Sequence, residues 1–191
     1  MIRLQDMRLI LLDRNSFMCA EWGRAFADLA NVEVVRSELA DYLEGHEVEC
    51  VVSPANSYGL MDGGYDEAIS DCLGWGLQKK VQQYIIDHYF GEQPVGSAFI
   101  LPTGMAGVRL IHAPTMRMPS VIADPQVIYT VTRSTLIVAM QNDVRSILIP
   151  AFGGGCGKVP FARIAKEMRS AVNQLLDPPK ELNWMYAGRP T

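Results

Sequence analysis

Four glycines in five positions, Gly153, Gly154, Gly155 and Gly157, follow a short aliphatic run that ends at Pro150. Glycine lets successive backbone N–H groups turn toward one point, because no Cβ blocks the turn. Helical apolar spacing resumes at Phe161, so the positive end of a helix dipole lies just beyond the loop. Such a combination cradles a phosphate or diphosphate; the alternative is a flexible connection that binds nothing. Two familiar motifs do not fit. A P-loop needs G-x-x-x-x-G-K-[ST], but counting back from Gly157-Lys158 puts Phe152 at the first glycine, and Val159 takes the place of Ser or Thr. A dinucleotide fingerprint belongs after the first strand, where Asp13-Arg14-Asn15-Ser16 has no glycine.

A second loop, residues 54–64, is rich in turn formers and contains Asn56, Asp62, Gly63 and Gly64. The Asn56 amide can donate and accept at once, toward a polar ligand or toward its own backbone. Asp66 lies in the first turn of the next helix, where an acid is also favoured by the dipole alone. Cys19, Cys50, Cys72 and Cys156 form no C-x-x-C pair, and no clustered ligand set asks for a metal. No cofactor is expected.

Alternating strands and helices must position these loops. Residues 7–12, 32–36, 48–53, 97–101, 108–113 and 146–149 read as strands. Helices are predicted over 16–30, in a short turn at 39–43, over 65–73, after Gly74-Trp75-Gly76, from Asp124-Pro125 to Met140, and over 160–176. The helix after Gly76 carries Leu77, Val81, Tyr84, Ile85 and His88 at one-face spacing, and the helix before Met140 is apolar nearly all round. Trp184-Met185-Tyr186 in the tail reads as an edge strand or a flap. This order implies a single domain with helices on both faces of a sheet whose central strands are parallel. Ligands of such sheets sit beyond the carboxyl ends of the strands, the address of both loops.

The 191 residues include 17 Lys and Arg against 21 Asp and Glu, a formal charge of −4. That balance argues against nucleic acid as the main partner. Charge appears within the first six residues and no apolar run approaches the length of a membrane span, so a cytoplasmic chain with reduced thiols and no membrane contact is expected.

The second loop, Val52-Ser53-Pro54-Ala55-Asn56 through Asp62-Gly63-Gly64-Tyr65-Asp66-Glu67-Ala68-Ile69, resembles the macro-domain signature V-N-A-A-N, spacer, G-G-G-V-D-x-A-I. Leu110-Ile111-His112-Ala113 looks like the family's I-H strand, and residues 150–157 look like its second glycine loop. The S-P-A-N-S-Y-G stretch, with Pro114-Thr115-Met116-Arg117, looks like a divergent branch. The resemblance spans about residues 34–176. It leaves 1–33 as an N-terminal strand-helix addition and 177–191 as a tail.

The resemblance implies a three-layer α/β/α fold with a central mixed sheet, and binding of ADP-ribose or a related nucleotide, free or on a modified protein. Some members hydrolyse ADP-ribosyl linkages, O-acetyl esters or 1″-phosphate esters. It implies diphosphate on Gly154, Gly155, Cys156 and Gly157, with Gly153 also a ligand-binding position. Asn56 falls at the distal ribose, Gly63 and Gly64 at the distal ribose and phosphate, and Glu38 at adenine, with Leu39, Ala55 and Tyr65 also among the ligand-binding positions. Asn56 and Asp66 fall at the positions that hydrolytic members use. Three departures stand inside the site: Ser53 for the first Asn, Asp62 for the first of three glycines, and Cys156 for an aromatic. His112 is read as a packed strand histidine. A module that binds without turnover, and an enzyme acting on another nucleotide or phosphate ester, remain the alternatives.

Overall fold

The computed structural model describes residues 1–188. Six strands and seven α-helices follow one another among them: β1 Arg8–Asp13, α1 Ser16–Ala25, β2 Val32–Arg36, α2 Leu39–Gly45, β3 Cys50–Ser53, α3 Gly64–Leu73, α4 Leu77–Tyr89, β4 Phe99–Pro102, β5 Arg109–His112, α5 Gln126–Gln141, β6 Ser146–Ile149, α6 Phe161–Leu176 and α7 Trp184–Ala187. The strands form one sheet in the order β2-β1-β6-β3-β5-β4. Every neighbouring pair is parallel except β4 with β5, so the sheet is mixed, as expected.

β1 is apolar from Leu9 to Leu12 because both of its faces are covered. Leu9 and Leu11 enter a core shared with Met18, Val131, Ile164 and Met168 of α1, α5 and α6. Ile10 and Leu12 enter a second core with Leu39, Ile69, Val81 and Ile85 of α2, α3 and α4. One sheet between two helical layers is the three-layer architecture expected. The segment read as an N-terminal addition is woven into it: β1 lies between β2 and β6, with five-residue and four-residue registers to them.

Several elements differ from their predicted extent. α1 stops at Ala25, five residues short of the predicted end, where Phe26 leaves helical geometry and turns into the core. Asn15 caps its start, its side chain accepting from Phe17 N at 2.9 Å. His88 is exposed and leans on the Tyr84 ring, so the buried face of α4 ends at Ile85. α5 buries Ile128, Val131, Thr132, Thr135, Leu136 and Ala139 along one side and leaves Arg133 exposed, and the Asp124 carboxylate accepts from Gln126 N at 2.9 Å at its start. The Trp184-Met185-Tyr186 segment is a single helical turn and not an edge strand. Asn183 caps it, and Trp184 is 92% exposed.

Candidate functional site

β2, β1, β6, β3 and β5 all end along the same edge of the sheet. Their loops, with the start of α3, enclose a cleft of about 830 Å³. The loop after β6 and the loop after β3 face each other across it. Every residue expected in the site lines this cleft except Ser53.

In the loop after β6, Gly153 sits at φ +75°. A Cβ there would come within 3.1 Å of Ile122, Ile128 and Val159. A Cβ on Gly157 would meet the Gly153 carbonyl at 2.7 Å. Close packing therefore fixes the loop's shape. Gly154 N, Lys158 N and Val159 N are used internally, donating to Ala151, Gly155 and Gly153 carbonyls. The N–H groups of Gly155, Cys156 and Gly157 have no partner among the described residues. Three successive free donors at the mouth of a cleft are a ready anion cradle.

The start of α3 supplies a second set. Among the described residues no side chain caps this helix, and the N–H groups of Gly64, Tyr65 and Asp66 have no partner there, while Glu67 N donates to Gly63 O at 3.4 Å. Gly64 opens the helix at φ +61° with free space where a Cβ would stand.

Asp66, in that first turn, is 8% exposed. Ser53, at the end of β3 and fully buried, donates from Oγ to Asp66 Oδ1 at 2.6 Å. Ser53 thus lies beneath the cleft and holds Asp66; a ligand cannot reach it. Burial pushes the Asp66 carboxyl up to about 7, against the downward pull of the Ser53 hydroxyl. The group can therefore carry or give up a proton near neutrality.

Asn56 is turned largely onto its own loop. Its Oδ1 accepts from Tyr58 N at 3.1 Å and Leu60 N at 3.3 Å, while Nδ2 donates to Leu60 O at 2.8 Å. One Nδ2 hydrogen remains for anything in the cleft. The Tyr65 hydroxyl is buried and has no partner among the described residues. Burial raises its pKa, with the Asp13 carboxylate adding to the shift.

Glu38, where α2 begins, stands at the far end of the cleft. Its side chain is 60% exposed and lies 3.6 Å from the Arg14 guanidinium. Asp13, Arg14 and Asn15 at the end of β1 also line the cleft, and sequence reasoning missed them as site residues. The signal was available: the carboxyl-end rule applies to every parallel strand, β1 included. Asp13 accepts from Asn15 N at 2.7 Å, and burial raises its carboxyl pKa. Met116 lines the cleft and touches Cys156, sulfur to sulfur at 3.5 Å. Arg117 instead pairs with Glu92 at 2.7 Å over the Tyr58 ring. His112 is fully buried against Gln93, 2.6 Å from its Nδ1, and burial lowers its pKa to about 3, so it is neutral and outside the site. No group of three or more His, Cys, Asp or Glu suited to a metal occurs among the described residues. No helix there is long and apolar enough to cross a membrane.

Comparison with known proteins agrees with this fold. The family model described as Macro domain matches residues 52–168, more than half of the chain. An uncharacterised protein of Aquifex aeolicus is 29% identical over 145 residues, 75% of this chain and 82% of its own length. A solved point mutant of the Oceanobacillus iheyensis macrodomain with ADPR superposes with a TM-score of 0.62 at 17% identity, covering 91% of this chain and 80% of that one. The same macrodomain with ADP gives a TM-score of 0.59 at 22% identity, covering 66% and 68%. The chain belongs to the macro domain family.

Proposed function

We propose that the cleft binds ADP-ribose and that Asp66 promotes hydrolysis of a substituent on its distal ribose. The observation that carries the reading is that Gly155, Cys156 and Gly157, whose N–H groups have no partner among the described residues, line one cleft together with the uncapped start of α3. Backbone donors hold a diphosphate in a chain whose net charge is −4 without needing a basic side chain. The solved macrodomains with ADPR and with ADP support the choice of ligand. Adenine lies toward Glu38, Leu39 and Asp13; the distal ribose lies between the glycine loop and the Ala55–Asn56 and Gly63–Gly64–Tyr65 segments.

Asp66 offers its second carboxylate oxygen to a water. It takes a proton as the water oxygen bonds to the electrophilic carbon, and the bond to the leaving group breaks. The substrates are ADP-ribosylated side chains or ADP-ribose esters. Turnover rises as the pH passes about 7, the range in which Asp66 loses its proton.

Calorimetric titration tests the binding half. ADP-ribose should bind at least about tenfold tighter than AMP, since only the former engages both loops. Equal affinities would remove the glycine loops from the reading. Wild type and Asp66→Ala, incubated with ADP-ribosylated peptide and O-acetyl-ADP-ribose, test the chemistry. Firm ADP-ribose binding with no product from the wild type would leave a binding module.

A further inference from the structure

The charged residues lining the cleft are Asp13, Glu38, Asp62, Asp66 and Arg14. Arg14 is the one cation among the described lining residues, and it is paired with Glu38 at the β1–β2 end of the edge. The phosphate-holding donors belong to the loop after β6, in the middle of the edge order. Beyond them, at the loop after β3, stands Asp62, exposed and directly before the Gly63-Gly64 pair. The N-terminus of α3 would otherwise attract an anion there. Its field is opposed by Asp62 from outside the helix and by Asp66 and Glu67 within the first turn.

We infer that this cleft selects against ADP-ribose carrying a phosphomonoester on its distal ribose, and that Asp62 is the residue that enforces the selection. The inference rests on the reading of the cleft as an ADP-ribose site. Two phosphates are held as a diphosphate by backbone N–H groups in the middle of the cleft. A third would arrive beside the Asp62 carboxylate with no lining side-chain cation among the described residues, apart from the Glu38-paired Arg14, to neutralise it. Like charges brought together in one cleft repel, and salt or a change of charge relieves the repulsion. The substrates that fit are those whose distal ribose bears an uncharged or cationic group: a free hydroxyl, an acyl ester, or a linkage to a side chain. A sugar 1″-phosphate is turned away.

The experiment is a pair of calorimetric titrations, with ADP-ribose and with ADP-ribose 1″-phosphate, at low ionic strength and again near 0.5 M salt. The unphosphorylated ligand should bind on the order of tenfold tighter at low salt, and the ratio should shrink as salt screens the carboxylate. Asp62→Asn keeps the shape, removes the charge, and should cut the ratio severalfold; Asp62→Lys should reverse it. Asp62 is exposed, so these variants should keep the wild-type melting temperature, which confirms that they fold. Equal or tighter binding of the 1″-phosphate by the wild type overturns the inference. So does a preference that survives Asp62→Asn unchanged, since that would be steric. Failure of ADP-ribose itself to bind would overturn the underlying reading and is told apart by the first titration alone.

Discussion

The two glycine loops that face each other across the cleft use glycine for opposite reasons. In the loop after β6, Gly153 and Gly157 are packed: a Cβ at either would strike Ile122 or the loop's own backbone at 3.0 Å or less. In the loop before α3, Gly63 and Gly64 have nothing within 4 Å of where a Cβ would stand, and both are exposed. The first loop is a rigid frame that holds its N–H groups still. The second is bare backbone presented to the cleft, with Gly64 also needed for its positive φ. Gly155 belongs to the second kind although it sits in the first loop, since a Cβ there meets open space. Identical residue types therefore divide into those whose missing Cβ the packing demands and those whose Cβ would meet open space in the cleft.

Substitution within the first loop should break that division open. Gly157→Ala forces a Cβ to within 2.7 Å of a carbonyl oxygen. It should destabilise the fold by about 3 kcal/mol, the upper end for overpacking because the obstacle is backbone. Gly155→Ala, two residues away, should change stability by less than about 0.5 kcal/mol. It should nevertheless weaken ADP-ribose binding, because the methyl stands in the cleft. Urea denaturation of the two variants decides it. Equal losses of stability would mean that the loop relaxes and is no frame.

A pH-dependent effect concerns the acid beside the second loop. Burial raises the Asp66 carboxyl from its ordinary value to about 7. The folded chain then keeps a proton that the unfolded chain releases, so this contribution to stability is complete below about pH 4 and is lost as pH rises toward 7. Asp66→Asn preserves the acceptor for the Ser53 hydroxyl and cannot ionise. It should be more stable than wild type by about 4 kcal/mol at pH 8, with the gain vanishing near pH 4. Melting temperatures of both chains across that range provide the measurement. A gain independent of pH would show that Asp66 is not titrating in the folded state.

The sequence revealed the architecture because strand and helix periods survive in single residues. The run from Leu9 to Leu12 announces a strand covered on both faces, and its alternation between the two cores follows. The cleft was legible because the glycine loops fall at strand ends. Three things were not. The place of β1 between β2 and β6 depends on pairing between distant segments, which no local pattern encodes. The Ser53–Asp66 bond joins residues 13 apart whose contact needs the β3-to-α3 connection to be folded. Gly157 is visibly a glycine, but whether its missing Cβ makes room for a ligand or for Gly153 can be read only from coordinates.

The smallest expected effect separates the two ends of the cleft. The resemblance gives Glu38 the adenine-binding role, worth about 1.5–3 kcal/mol if its carboxylate made a desolvated, charge-assisted bond. Its side chain is 60% exposed and already faces Arg14. An exposed ion pair of this kind is worth about 0–1 kcal/mol, and an acceptor so placed keeps most of its water when a ligand arrives. Glu38→Ala should therefore lower ADP-ribose affinity by no more than about fivefold, less than 1 kcal/mol, and leave the melting temperature where it was. Asp13 is half-buried, with its Oδ1 accepting from Asn15 N at 2.7 Å and its other oxygen free to accept from an amino group on the base. Asp13→Asn should have the larger effect, and the two variants together should show whether they act on one contact. Titrations with ADP-ribose and with ribose-5-phosphate distinguish the outcomes, since the latter has no base and should be indifferent to either change. A loss above about thirtyfold for Glu38→Ala alone would mean that ligand binding strips the water from that carboxylate and pulls it away from Arg14.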